Sequence, residues 1–115
     1  MSADKELLEF AAKAAGLKRK YYEYLGFKGM IEDDPESGWW NPLTDDGDAL
    51  RLAVKLDIEI YQADDDGRAV YAGYWGKPER RDVTRMFKIE PLGDDPYAAT
   101  RRAIVRAAAE IGKTL

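Results

Sequence analysis

The sequence predicts an α+β fold: an antiparallel sheet of about four strands with three helices, layered as an α/β/α-type sandwich. Three observations predict it. Helical periodicity recurs near both ends of the chain and once between them. Three β-branched or aromatic runs follow one another between residues 58 and 89, with connections too short for a parallel crossover, so they form an antiparallel meander. Finally, 115 residues at 45% hydrophobic composition can bury one core, and a chain of that size needs no disulfide staple to do so. A single domain spanning residues 1–115 is expected, because no repeat, low-complexity tract or Pro/Ser linker divides it.

The first helix is expected from Ala3 to Ala15, where Leu7, Leu8, Ala11, Ala14 and Ala15 fall on one apolar stripe. Ser2 can cap it, Asp4 and Glu6 suit the positive end of its dipole, and Gly16 supplies a left-handed stop. The tyrosine-rich Arg19–Tyr24 run reads as a strand, with Phe27–Ile31 as its hairpin partner. Residues 32–48 then hold Glu32, Asp33, Asp34, Glu36, Asp45, Asp46 and Asp48 and no basic residue, broken by Pro35, Gly38, Pro42 and Gly47, which makes a loop. Inside it, Trp40-Asn41-Pro42-Leu43 is expected to latch over the edge of the core, with Thr44 or Asp45 capping the next helix.

That helix, about Asp46 to Leu56, has Ala49, Leu50, Leu52, Ala53, Val54 and Leu56 around most of its circumference and only Asp48, Arg51 and Lys55 as a polar stripe. It must be covered on most sides. Ile58–Gln62 and Ala69–Tyr74 form a hairpin through Asp66-Gly67, and Thr84–Ile89 forms the next strand. The last helix opens on Asp95 as cap and Pro96 at its first position and runs to about Ile111. Tyr97, Ile104 and Ile111 repeat at seven beside Ala103, Ala107 and Ala108, a stripe expected to pack inward. Leu50, Ala53, Leu56, Ile60, Val70, Ile104 and Ala108 are the expected common core.

With no Cys and no His in the chain, disulfides, thiolate or imidazole metal sites and Cys or His catalysis are all excluded. No run approaches the roughly 20 apolar residues of a membrane span, and Asp4, Lys5 and Glu6 make the N-terminus too charged for a signal peptide, so a soluble cytoplasmic protein is expected. The formal charge is −4, with 18 basic and 22 acidic residues. Residues 1–66 carry net −8 (8 basic, 16 acidic) and residues 67–115 net +4 (10 basic, 6 acidic), so the halves either face each other electrostatically or present separate surfaces.

Three clusters can carry chemistry. Asp45, Asp46 and Asp48 offer oxygen ligands for Mg²⁺ or Ca²⁺, but with Gly47 at the sixth loop position the first would be Pro42, so helix capping is the expected role and no metal site is assigned. Asp64, Asp65 and Asp66 read as a solvated turn. Lys77, Arg80, Arg81, Arg85, Lys88, Arg101, Arg102 and Arg106 form a basic set. Arg101 and Arg102 sit near a positive helix end, where either a bound anion or internal carboxylates from Asp94, Asp95 or the acidic loop must offset them. The abundant aromatics are expected to cover the sheet, with Trp40 and Trp75 beside loop residues as candidate stacking partners for a base. Gly73 and Gly76 bracket Tyr74-Trp75 without any phosphate-loop pattern.

Three segments also carry a family resemblance: Ala11-Ala12-Lys13-Ala14-Ala15-Gly16, the run from Trp40 through Asn41-Pro42-Leu43-Thr44-Asp45-Asp46-Gly47-Asp48 to Ala53, and Ala99–Ala108. Together they resemble the phage ABA sandwich domain, a family of small phage and prophage proteins, over nearly the whole chain. The resemblance implies layered helices and sheet, a phage or prophage origin and the host cytoplasm; it implies no activity, cofactor or functional residue. The function expected is therefore that of a non-enzymatic phage accessory protein, a module for interaction with a host or phage protein. The alternative is a counter-defence protein that binds a phosphorylated or nucleotide-like small ligand through Arg101, Arg102, Trp75 and Trp40. A metal-dependent hydrolase at Asp45, Asp46 and Asp48 is a distant third. No cofactor is expected, and the negative net charge argues against duplex nucleic acid.

Overall fold

The computed structural model describes residues 3–24, 27–31, 38–63, 68–75 and 85–115. The elements run α1 (Ala3–Ala14), β1 (Lys20–Tyr24), β2 (Phe27–Ile31), α2 (Asp46–Lys55), β3 (Glu59–Ala63), β4 (Ala69–Trp75), β5 (Arg85–Pro91) and α3 (Pro96–Lys113). The three helices and the antiparallel meander are as the sequence predicts, and the fold is a mixed α+β one. The strands do not form one sheet, however. They divide into a two-stranded β1–β2 hairpin and a three-stranded β3–β4–β5 sheet. The hairpin leans on α1 instead of extending the meander.

Local chemistry explains the ends of the elements. α1 stops at Gly16, whose φ of 72° is left-handed, while the Leu17 N–H bonds back to the Ala12 carbonyl at 2.9 Å. This is the doubled closing bond of a Schellman cap. α2 ends the same way without a glycine, at Asp57 with φ 56°, where the Ile58 N–H reaches the Ala53 carbonyl at 2.8 Å. α3 begins where Asp95 and Pro96 predict, and the Asp95 carboxylate accepts the Ala98 N–H at 3.0 Å. Ser2, the Asp64–Gly67 turn, the acidic 32–37 segment and the basic residues Lys77, Arg80 and Arg81 lie outside the described residues.

α3 is the central element. It packs α1 and α2 on one side and β4 and β5 on the other, so Ala103, Ile104, Val105, Ala107, Ala108, Ala109, Ile111 and Gly112 are all buried. Small residues make this possible, since they let α1 come close: a methyl group added at Gly112 would collide with the Phe10 carbonyl of α1. Facing the sheet, α3 meets Val70, Ala72 and Tyr74 of β4, which alternate inward. Its contact with β5 is ionic as well, through Lys88–Glu110 at 3.3 Å and Arg106–Glu90 at 2.5 Å.

The expected core needs correction at Leu50 and Ile60, and the inward stripe of α3 at Tyr97. Ala53, Val70, Ile104 and Ala108 are buried as predicted and Leu56 packs against them, but Leu50 is 61% exposed, Ile60 37% and Tyr97 71%. The reason is where α3 lies. It runs under β4 and β5, so β3 overhangs it, and among the described elements none packs over the inner side chains of β3, the outer side of α2 and the first turn of α3.

Candidate functional site

Residues 40–48 fold as a hydrogen-bonded latch. Trp40 is buried and pairs with Met30 as an antiparallel bridge, with N–O distances of 2.9 and 2.7 Å. Asn41, also buried, accepts the Leu43 N–H at its side-chain oxygen (3.0 Å) and donates its own N–H to Asp48 Oδ2 (3.0 Å). The three carboxylates of this segment each have a separate task. Asp45 caps α2 by accepting the Asp48 N–H at 2.8 Å. Asp46 pairs with Arg101 at 2.6 Å, and the second oxygen of Asp48 takes Arg51 at 2.8 Å.

The residues singled out as a ligand site, Arg101, Arg102, Trp75 and Trp40, each have partners of their own within the fold. Arg101 bridges α3 to α2, donating from Nε to the Leu43 carbonyl at 2.8 Å and from Nη1 to Asp46. Arg102 pairs instead with Asp4 at the start of α1, at 3.0 Å. The offsetting carboxylates are internal: Asp46 of the acidic loop, as expected, takes Arg101, while Arg102 takes Asp4, which was not among the expected partners, and the neighbouring Asp95 serves as the helix cap. Trp75 lies on the far face of the sheet, its Nε1–H directed at Asp57 Oδ2 (3.3 Å) and its ring 4.6 Å below the Arg85 guanidinium. On that same face Tyr61 and Tyr71 stack at 5.7 Å with Phe87 edge-on to both, so these aromatics cover the sheet by covering one another.

Sequence reasoning missed a groove of about 600 Å³ beneath the β3 overhang. Ala49 and Leu50 of α2 form one wall, Ile60 and Gln62 of β3 the other, and Tyr97, Thr100 and Ile104 of α3 the floor. The Arg101–Asp46 pair closes one end. Val54, one turn after Leu50 on the outside of α2, is 74% exposed and extends the apolar surface. An apolar lining with a few fixed polar groups is the usual constitution of a binding concavity. The signal in the sequence is that α2 is apolar almost all round, which requires either complete burial or a partner. β3 also has no strand paired to its outer edge among the described residues.

Among the described residues no helix is long and apolar enough to cross a membrane. Compared with protein families, curated proteins and solved structures, the chain matches none of them.

Proposed function

We propose that this protein is a non-enzymatic interaction module that captures an extended apolar segment of a partner protein in the groove between α2 and β3. The observation that carries the reading is the exposure of Leu50 at 61%, Ile60 at 37% and Tyr97 at 71%, all lining one concavity. Large apolar side chains this exposed and this close together mark recognition surfaces on small proteins. The open edge of β3 supports an extended partner. A strand laid against it would make main-chain hydrogen bonds and aim alternate side chains into the groove. The resemblance to the phage family agrees with such an accessory role in a host cytoplasm, and that origin is part of this proposal.

The test is selection of a displayed random-peptide library against the protein, with a Leu50→Asp/Tyr97→Asp variant as counter-target. Enriched peptides should carry apolar residues at alternate positions and lose binding to the variant. A library that yields no binders, or binders that hold the variant equally well, would refute the reading.

A further inference from the structure

A second concavity, of about 430 Å³, opens on a different face of α2. It lies between the chain that follows α1, the Trp39-Trp40 pair and the polar stripe of α2. Its charges are Arg19, Arg51 and Lys55 against the single carboxylate of Asp48. That carboxylate is already engaged at both oxygens, by the Asn41 N–H at 3.0 Å and by Arg51 at 2.8 Å. Among the cleft's described lining residues three cations thus face one carboxylate, and Asp45 Oδ2 lies 3.9 Å from Arg51. Arg51 keeps 72% of its side chain exposed despite its pairing. Lys55 is exposed and has no ion-pair or hydrogen-bond partner among the described residues.

Beside these cations stands the indole of Trp39, 43% exposed, with buried Trp40 and Leu52 behind it. A half-exposed indole next to guanidinium and ammonium groups has a definite chemical complement, a planar ring that carries an anionic group. The ring stacks on the indole, and the anion receives charge-assisted hydrogen bonds from the cations. A volume of about 430 Å³ falls within the range of small-molecule sites. We propose that this cleft binds a nucleoside monophosphate or a compound of that chemistry, with its base on Trp39 and its phosphate on Arg51 and Lys55. The site is independent of the groove. Of the residues the sequence suggested for a ligand, it uses only Trp40, as backing. Asp48, Arg51 and Lys55, which the sequence presents as a solvated stripe, form its polar wall.

The test is a tryptophan-fluorescence titration at low ionic strength with adenosine and uridine 5′-monophosphates, and with adenosine and inorganic phosphate as separate arms. The nucleotides should give a saturable change that neither half-ligand reproduces at the same concentration. Arg51→Ala and Lys55→Ala should each weaken it by about tenfold or more, the loss expected for a hydrogen bond to a charged group. Lys55 lies on the surface, so Lys55→Ala should keep the wild-type melting temperature and is the variant that separates binding from folding, and Lys5→Ala on α1 serves as the charge-matched control. The proposal is overturned if no nucleotide gives a saturable change at millimolar concentration. It is equally overturned if inorganic phosphate binds as tightly as the nucleotides, or if the Arg51→Ala/Lys55→Ala protein binds them as well as wild type.

Discussion

Trp40 shows how much one side chain can decide in this molecule. Its main chain bridges Met30 while its ring closes the core beside the latch, so both the β1–β2 hairpin and the start of α2 depend on it. Trp40→Ala should cost roughly 3–5 kcal/mol, the usual range for truncating a buried aromatic, measured as a shift of the denaturation midpoint at constant slope. Glu110 is a second decisive residue. Burial pushes its carboxyl up, but hydrogen bonds and charge from Lys113 and Lys88 outweigh that and hold it below its ordinary value of 4.5. A carboxyl depressed in the folded state contributes stability above its unfolded pKa and loses it as pH falls through the folded value. The stability difference between wild type and Glu110→Gln should therefore be full at neutral pH and shrink below about pH 4.5. A difference that stays constant down to pH 3 or so would show that the carboxylate's charge is not what matters.

At the scale of elements, the contact between α1 and α3 makes the sharpest prediction. Replacing a glycine inside a helix by alanine ordinarily stabilises it by up to about 1 kcal/mol. Gly112 should reverse that sign, because the added methyl meets the Phe10 backbone, which cannot rotate away. Gly112→Ala should destabilise by about 1–3 kcal/mol, the common range for overpacking, and thermal denaturation against wild type measures it. The elements themselves were largely legible in the sequence, because the signals that set them are local. Asp95-Pro96 opens α3 and Gly16 closes α1 through bonds made within five residues, and short connections force the antiparallel meander. The left-handed Asp57 that ends α2 had no such signal, since aspartate adopts that conformation only occasionally.

What could not be read from the sequence belongs to the whole molecule. Leu50, Ile60 and Tyr97 satisfy the same periodicities as true core residues, and only the position of α3 under β4 and β5 leaves them uncovered. The division of the strands into two sheets is likewise set by which element the hairpin leans on, which no local pattern encodes. The arginines pose the same difficulty, for Arg101 finds Asp46 across 55 residues and Arg102 finds Asp4 across 98. Asp94, Asp95 and the acidic loop are the carboxylates the sequence offers; the loop's Asp46 takes Arg101 and the helix start claims Asp95 for the Ala98 N–H, whereas nothing local points to Asp4. These long-range pairs, with Arg85–Glu59, join the basic half of the chain to the acidic half. The charge separation seen in the sequence is thus partly an internal complementarity, and the groove is bounded by one of its pairs, Arg101–Asp46.

If the apolar side chains around the groove serve recognition and not folding, as proposed, the Leu50→Asp/Tyr97→Asp protein must separate the two. Its thermal stability should stay near wild type, because surface substitutions usually change stability by no more than about 0.5 kcal/mol each, while its affinity for the selected peptides should be lost. A fall of several kcal/mol would return Leu50 and Tyr97 to the core, and unchanged peptide binding would remove the groove from the function.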